Sequence, residues 1–334
     1  MGRVRAVGLL SGGLDSLLAA KLMLDQGVDV YAVNFTSPIH GRSHERDRAE
    51  EAARALGVPL KKIELGSEYL RIIRNPKYGY GSGMNPCIDC HAFMLRMAKR
   101  YARQIDAKFI FTGEVLGERP MSQNEQALRI VEKEAGLEGK VLRPLSAQLL
   151  PETEAERRGW VDRSRLLSIR GRSRRPQLEL AKTLGLSSFP MPSGGCLLTE
   201  KEFVPRIKDL FAHRRRISLK DILLLRVGRH FRLGDVKVIV GRNEGENKAL
   251  LGLDDGHMTY LEPVEVNGPI ALLQGRPRRS TLHTAAGLTA RYCDGTGAVL
   301  VKCRRGDKVQ LLRVERMSEA EVKAYIVAEK KGEI

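Results

Sequence analysis

Residues 5–27 constrain the fold of this chain more than any other stretch. Residues 6–10 form a short apolar run of the kind that a strand buried on both faces needs. A glycine-containing turn, residues 11–16, follows directly, and a leucine-rich helix then continues to Gly27, where a left-handed helix stop is expected. Because ligands in open α/β sheets bind where strands end at their carboxyl side, this turn is the first candidate site.

The turn reads Ser-Gly-Gly-Leu-Asp-Ser, and its composition suits a phosphate group. Ser11, Gly12, Gly13 and Ser16, with the N–H groups of the helix start, offer donors and close backbone approach. Asp15 would repel a phosphate unless a magnesium ion lay between the two. The alternative is that Asp15 only caps the helix and the glycines only make a turn. The absence of lysine separates this stretch from the GxxxxGK[ST] phosphate loop.

The N-terminal part alternates strand and helix patterns, which predicts a doubly wound α/β fold with a mainly parallel sheet. Further strands are expected at 28–35, 60–65, 108–112 and 141–145, and helices at 43–56, 87–105 and 122–134. Phe35 ends the second strand beside the turn, where it can stack on an adenine, although a core position is the commoner fate of an aromatic side chain.

A second, smaller α+β domain is expected after the first. The predicted domains are residues 1–213 and 214–334, with residues 214–218 as the hinge. Before the hinge, Pro176 and Gly185 bound one helix, and Thr199 with Glu202 predicts a capping box for another that ends near His213. Beyond the hinge, strands are expected at 232–240, 258–266, 271–274, 298–303 and 309–313, followed by a helix from Ser318.

The formal charge of +17 favours a polyanionic partner, either nucleic acid or acidic lipid. Eight arginines and a single acid lie between residues 157 and 175, and a second arginine run spans residues 214–232. A single charge run usually only solvates a face, but two arginine runs favour RNA or DNA, because the planar guanidinium makes bidentate phosphate contacts. No membrane partner or membrane-spanning run is expected, and the start of the chain, which enters a strand without a cleavable leader, indicates a cytoplasmic location.

Three of the five cysteines form a candidate reactive site. Cys87 and Cys90 have CxxC spacing at a predicted helix start, where the helix dipole is expected to lower the pKa of both thiols, and Cys196 follows a glycine pair in a proline-rich loop. A [4Fe–4S] cluster on the three thiolates would leave one iron open for sulfide. Zinc held by these cysteines and His91 would be structural, and a metal-free site would carry sulfur as a persulfide. A buried, inert pair is the remaining alternative.

The SGGLDS motif after a first strand resembles the SGGxDS signature of the PP-loop ATP pyrophosphatase superfamily. The order of SGGLDS, NPCIDCH, TGEVLGERPMSQN, RPL and GGC is similar to the tRNA thiouridine synthases of that superfamily, both 4-thiouridine synthases and 2-thiouridylases, over roughly the first 210 residues. Enzymes of this kind split ATP between the α and β phosphates and leave an adenylated substrate. The resemblance therefore implies an adenine nucleotide alpha hydrolase-like PP-loop domain.

The same resemblance assigns roles to individual residues. It places the following near the nucleotide, where Phe35 is a candidate from its strand position: Ser11, Gly12, Gly13, Asp15, Ser16, Thr112, Gly113 and Gln123. It gives Asp15, Cys87, Cys90 and Cys196 the catalytic roles, with the three cysteines also holding the cluster. The C-terminal motif around Arg242 resembles the RNA-binding module NFACT-R, so this module is expected to supply RNA binding. The expected RNA contacts are Arg170, Arg172, Arg174, Arg175 and Arg242.

The function implied is thiolation of a uridine in tRNA. ATP with Mg²⁺ would adenylate a carbonyl oxygen, and sulfur would then replace it with release of AMP. The expected partners are tRNA, a sulfur donor that is either sulfide or a persulfide carrier, and a second copy of the chain in a homodimer. Two alternatives stay open: a PP-loop ligase or sulfurtransferase acting on a small molecule, and a non-enzymatic RNA-binding protein.

Overall fold

A computed structural model describes residues 3–39, 45–186, 196–254 and 256–327 of the chain. The chain divides into two compact units, Met1–Thr199 and Glu200–Ile334. The division therefore precedes the helix Phe203–His213, whereas the sequence analysis put the domain boundary after it. Residues 187–195, which include most of the predicted loop before Cys196, lie outside the described residues.

The first unit contains a five-stranded parallel sheet, as the sequence predicted. Its strands are β1 (Arg5–Leu9), β2 (Asp29–Thr36), β3 (Leu60–Glu64), β4 (Phe109–Phe111) and β5 (Val141–Leu142). The order across the sheet is β3-β2-β1-β4-β5, and every neighbouring pair is parallel. The chain places β2 and β3 on one side of β1 and then β4 and β5 on the other side. The topological switch point therefore lies between β1 and β4.

Helices cover both faces of this sheet. They are α1 (Leu14–Asp25), α2 (Glu45–Leu56), α3 (Ser67–Arg74), α4 (Cys87–Gln104), α5 (Glu125–Ala135), α6 (Glu154–Arg157) and α7 (Arg175–Thr183). Successive residues of a strand point to opposite faces, and Ala6 of β1 accordingly packs in the core with α1 and α7, while Val7 packs with α4 and α5. The doubly wound α/β architecture is confirmed.

The second unit is built on a six-stranded antiparallel sheet. Its strands are β6 (Arg229–Leu233), β7 (Val236–Val240), β8 (Thr259–Pro263), β9 (Ala271–Gln274), β10 (Val299–Arg305) and β11 (Lys308–Val314), in the order β11-β10-β8-β9-β7-β6. Its helices are α8 (Phe203–His213), α9 (Leu219–Leu225), α10 (Glu244–Leu253), α11 (Arg279–Ala290) and α12 (Glu319–Tyr325). Phe231 and Val238 pack in a core with α11, whereas Ile239 packs on the other face with α9 and α10.

Two local predictions in the sequence were wrong. Residues 232–240 are not one strand, because Gly234 adopts a left-handed conformation with φ of 58° and closes a hairpin between β6 and β7. The expected capping box at α8 does not form, because the Thr199 hydroxyl donates instead to the carbonyl oxygen of Cys196 at 2.7 Å. None of the helices in the described ranges has the length and apolar character that a membrane span requires.

Candidate active site

The Ser-Gly-Gly-Leu-Asp-Ser turn joins β1 to α1 and is organised by its own hydroxyl groups. The Ser16 hydroxyl donates to the carbonyl oxygen of Gly13 at 2.9 Å and accepts from the backbone N–H of Ser11 at 3.3 Å. The Ser11 hydroxyl accepts from the backbone N–H of Gly13 at 3.2 Å. These bonds fix the turn at the carboxyl end of β1, the position at which a phosphate meets a helix N-terminus.

Two glycines of the site have no room for a side chain. Gly12 has a φ of +79°, and a Cβ there would lie 2.6 Å from the carbonyl carbon of Arg48. A Cβ on Gly113, just after β4, would lie 2.5 Å from the backbone of Asp15 and Ser16. The turns that follow β1 and β4 are therefore in direct backbone contact, as expected at a topological switch point.

Asp15 forms an ion pair with an arginine 159 residues further along the chain. The Arg174 guanidinium donates to Asp15 Oδ2 at 3.2 Å. Asp15 Oδ1 and Arg174 Nε are also buried, yet neither has a hydrogen-bond partner within the described part of the chain. Burial and the nearby Asp15 charge raise the pKa of Glu118. Within the described residues, the site thus holds a carboxylate oxygen without a hydrogen-bond partner next to a guanidinium whose Nε–H group is also unpaired.

The basic segment is attached directly to the turn that follows β4. Leu116 forms a parallel bridge with Arg170, and the Gly171 N–H donates to the carbonyl oxygen of Leu116 at 2.8 Å. The buried Ser146 hydroxyl donates to the carbonyl oxygen of Ile169 at 2.7 Å and accepts from the Leu116 N–H at 2.9 Å. This attachment brings Arg174 to Asp15 and leaves Arg170 exposed.

A buried polar network links the turn after β4 to the cysteine helix. Glu114 accepts from the Thr112 hydroxyl at 2.9 Å and from Arg143 Nε at 3.1 Å, and it contacts His91 Nδ1 at 2.7 Å. Arg143 also pairs with Glu132. Burial opposes the charged form of Glu114, but the Arg143 charge and the His91 contact outweigh burial and lower the pKa of Glu114 to about 2. Glu114 is therefore a carboxylate at neutral pH, and His91 is held by its Nδ1 atom.

The two CxxC thiols occupy different environments at the start of α4. The Cys87 sulfur accepts from the Asn85 side-chain amide at 3.1 Å, and the Cys90 sulfur lies 3.1 Å from the Tyr69 hydroxyl. Burial, together with the charges of the neighbouring cysteines, raises the pKa of Cys90 to about 12, although the Tyr69 bond acts in the opposite direction. The expectation of a lowered pKa is wrong for Cys90, because desolvation exceeds the stabilisation that the helix dipole supplies.

Cys196 is brought to this pair by a backbone contact. The Met84 N–H donates to the carbonyl oxygen of Leu198 at 2.7 Å, and a Cβ on Gly83 would lie 2.2 Å from the same oxygen. The charge of Cys196 raises the pKa of Cys90, so the two sulfurs are within electrostatic range of one another. Among the described residues, no three His, Cys, Asp or Glu side chains stand in an arrangement that can hold a metal ion.

The remaining predicted site residues make contacts with other parts of the protein. Phe35 is half-buried and packs on the core that α4 and α5 share, which favours the packing role over adenine stacking. Gln123 closes the turn after β4, because its side-chain oxygen accepts from the Arg119 N–H at 3.0 Å. Arg175 pairs with Glu179, and Arg242 in the second unit pairs with Glu246. Arg172 is exposed.

Two family models match the chain, one in each unit. Residues 2–148 match the model described as thiamine biosynthesis protein (ThiI), and residues 228–326 match the NFACT protein RNA binding domain. The resemblance to the tRNA thiouridine synthases is confirmed. So is the resemblance of the C-terminal module to NFACT-R.

Curated relatives match the N-terminal part of the chain. A probable tRNA sulfurtransferase of Thermococcus kodakarensis is 31% identical over 150 residues, which are 42% of this chain and 36% of the relative. A tRNA-specific 2-thiouridylase MnmA of Syntrophotalea carbinolica is 36% identical over 115 residues, or 31% of this chain and 32% of the relative. The chain thus spans only these fractions of the relatives' lengths.

A solved structure of a 4-thiouridine synthetase in complex with RNA and bound ATP is 22% identical. The similarity covers 66% of this chain and 52% of that chain, with a TM-score of 0.42.

Sequence reasoning missed three residues of the site. Arg174 was assigned to RNA, but it contacts Asp15. Glu118 was quoted only as part of a motif, and Gln177 was not singled out at all. Gln177 is fully buried on α7 with no partner for its amide in the described residues. A sequence signal for it exists, because Gln177, Ala181 and Leu184 repeat at helical spacing and Gln177 is the polar member of this otherwise apolar series.

Proposed function

We propose that this protein is an ATP-dependent tRNA sulfurtransferase that converts a uridine of tRNA into thiouridine. One observation carries the proposal: Glu114, three residues after β4, contacts His91, the residue that follows the CxxC pair, at 2.7 Å. Gly113 lies against the turn at residues 11–16, which is the proposed phosphate turn. The turn after β4 therefore connects the proposed nucleotide site to the cysteines at the start of α4. A single substrate atom can therefore be activated at one site and replaced by sulfur delivered from the other.

In the proposed adenylation step, a uridine carbonyl oxygen attacks the α phosphorus of ATP and pyrophosphate leaves. The donors of Ser11, Gly13 and Ser16 bind the phosphates at the start of α1. Arg174 would exchange Asp15 for a phosphate oxygen, which would free the Asp15 carboxylate to hold a metal ion. The orphaned Asp15 oxygen fits magnesium, and a bound Mg²⁺ would supply positive charge against the leaving pyrophosphate.

In the proposed sulfur step, sulfide attacks the activated ring carbon, the bond from carbon to the AMP oxygen breaks, and AMP leaves with the electron pair. If the sulfur arrives instead as a persulfide on one cysteine, its terminal sulfur attacks the carbon. A second cysteine then attacks the inner sulfur, forming a disulfide that an external thiol must reduce. Cys87, Cys90 and Cys196 are the cysteines assigned to this step.

The cofactors proposed are ATP with Mg²⁺ and a [4Fe–4S] cluster on the three cysteines, with zinc or no metal as the alternative. The CxxC spacing and the contact of Met84 with Leu198 support a common site for the thiols. The described cysteines do not by themselves form a metal site, so the sulfur step above is written without a cluster.

The proposed partners are tRNA, a sulfur donor and a second copy of the chain, and the proposed location is the cytoplasm. The match of residues 228–326 to an RNA-binding domain supports a role of the second unit in holding tRNA. Exposed Arg170 and Arg172, beside the nucleotide site, suit the phosphates that flank the target uridine. The target base must be unstacked to reach this site.

The test is to assay pyrophosphate release and thiouridine formation with an unmodified tRNA transcript, using protein purified without oxygen. Pyrophosphate release that depends on tRNA is expected in the wild type and in Cys196→Ala, whereas only the wild type forms thiouridine. Iron and acid-labile sulfide near four per chain would support the cluster, and zinc or no metal would support the alternatives. ATP cleavage without tRNA would favour a small-molecule ligase and overturn the proposal.

A further inference from the structure

Unsatisfied polar atoms concentrate at the junction of α1 with α7. Among the described residues, eight buried side-chain atoms lack a hydrogen-bond partner, and four of them belong to Asp15, Arg174 and Gln177. Each such atom destabilises the folded protein while it is left unpaired. Orphaned atoms that gather around one ion pair indicate that the resting arrangement is not the one in which these side chains are used.

The position of Gln177 is fixed by the helix that carries it. Arg174 and Ala181, three residues before and four after it, both contact the α1 side: Arg174 through Asp15, and Ala181 through the core that contains Leu18. Residues four apart share one helix face, so Gln177 lies on the same face of α7 as Ala181, and its amide is expected on the α1 side. Its exposure is 0%, and neither its oxygen nor its nitrogen has a partner in the described chain.

Resting on the proposed function, we propose that Gln177 is a positioning residue for Asp15. When Arg174 moves from Asp15 to a phosphate, one carboxylate oxygen of Asp15 takes the magnesium ion. The amide N–H of Gln177 then donates to the other oxygen and holds the carboxylate in place of Arg174. Carboxylates that bind metals are commonly held by such a second hydrogen bond, whose loss lowers metal affinity roughly 10–100-fold.

This assignment explains why a buried amide stands without a partner. A leucine of similar volume at residue 177 would fill the same space without the cost of burying two polar atoms. In the resting arrangement the Gln177 amide and Asp15 Oδ1 are both unpaired, and the two pair once the Asp15 carboxylate reorients as Arg174 leaves for the nucleotide. Gln177 thus lowers the stability of the free protein and raises its affinity for the magnesium-bound nucleotide.

The experiment compares Gln177→Leu with a matched control, Thr259→Val. Thr259 also has a buried side-chain oxygen without a partner among the described residues, but it lies in the sheet of the second unit. We expect both substitutions to raise the midpoint of thermal unfolding, because each removes an orphaned polar atom. Binding of α,β-methylene-ATP is then measured calorimetrically, once with Mg²⁺ and once with EDTA.

With Mg²⁺, Gln177→Leu should bind the analogue roughly 10–100-fold more weakly than the wild type, and Thr259→Val should bind it as the wild type does. With EDTA, all three proteins should bind alike. Equal affinities in Mg²⁺ would overturn the role of Gln177 while leaving the proposed function intact. Absence of nucleotide binding by the wild type would overturn both. Gln177→Met serves in the same assay should the leucine variant not fold.

Discussion

Two arginine–carboxylate contacts of the first unit, one buried and one partly buried, differ in how many of their polar atoms are hydrogen-bonded. Both oxygens of Glu114 are bonded, to His91, Thr112 and Arg143, and Arg143 reaches a second carboxylate as well. Asp15, in contrast, has one bonded oxygen within the described ranges, and that bond comes from a single arginine nitrogen.

The difference separates a structural contact from a ligand-binding one. In the Glu114 network each carboxylate oxygen is paired, although Arg143 Nη2 has no partner among the described residues, and the paired carboxylate holds its neighbours in one geometry. A partly buried pair with unpaired atoms on both partners can exchange partners at low cost, because an incoming ligand satisfies atoms that were already unpaired. Under the proposed function, we therefore expect the Glu114 network to hold the site in place and the Asp15 pair to bind the nucleotide.

Replacing each of the two arginines in turn tests whether the two pairs differ in their contribution to stability. Arg143→Met should lower the free energy of unfolding by about 3–5 kcal/mol, because it leaves two buried carboxylates without their cation. Arg174→Met should change it by less than about 1 kcal/mol, since Arg174 is only partly buried and makes one contact. Urea denaturation of both variants measures the two values. Equal losses would show that the two pairs serve the same structural purpose.

A substitution in the Asp15 pair should reduce activity strongly while changing stability little. Asp15→Asn should reduce tRNA-dependent pyrophosphate release by roughly 10²–10³-fold, as the loss of an electrostatic contact to a transition state commonly does. Its unfolding midpoint should stay near that of the wild type. Pyrophosphate release under single-turnover conditions provides the measurement, and Asp25→Asn, at the distant end of α1, provides the control. Full activity of Asp15→Asn would contradict the assignment of this carboxylate.

The Glu114 network should give the protein a specific sensitivity to acid. The pKa of Glu114 is lowered to about 2 in the folded state, below the usual value of about 4.3. Its contribution to stability is therefore complete above the usual pKa and is lost as the pH falls from about 4.5 toward 2. Unfolding free energies of the wild type and Glu114→Gln, measured from pH 6 to pH 3, should converge as the pH falls. A constant difference would contradict the ion-pair role.

The smallest effect concerns the exposed arginines next to the Asp15 pair. Replacing both Arg170 and Arg172 with alanine should weaken tRNA binding and reduce the slope of log K against log salt by about 1 for each lost phosphate contact. Arg174→Ala should leave that slope unchanged, since this side chain is assigned to the nucleotide. Filter binding at several salt concentrations distinguishes the two cases. An unchanged slope in the double variant would assign the exposed arginines to solvent alone.

The sequence predicted the architecture of the site well, because local patterns encode it. The alternation of strand and helix, the turn at residues 11–16 and the start of α4 at Cys87 all follow from short-range periodicity and helix signals. The ends of the elements were less well predicted: β5 ends at Leu142, although the sequence analysis expected a strand over residues 141–145.

What the sequence could not give were contacts between distant residues. Arg174 lies in a run of arginines that all look alike in sequence, and only the attachment of this segment to the turn after β4 selects it for Asp15. The pKa of Cys90 was misjudged for the same reason: the helix start is visible in the sequence, whereas burial beside Tyr69 is not.

The pairing of Asp15 with Arg174 also bears on how the protein is made. The partners are 159 residues apart, and Gln177 is farther still, so the nucleotide site closes only after long-range contacts form. A nascent chain that has emerged as far as residue 148, the end of the ThiI match, holds the phosphate turn but not Arg174 or Gln177. During synthesis, therefore, we expect the proposed nucleotide site to be complete only after the segment carrying Arg174 and Gln177 has left the ribosome.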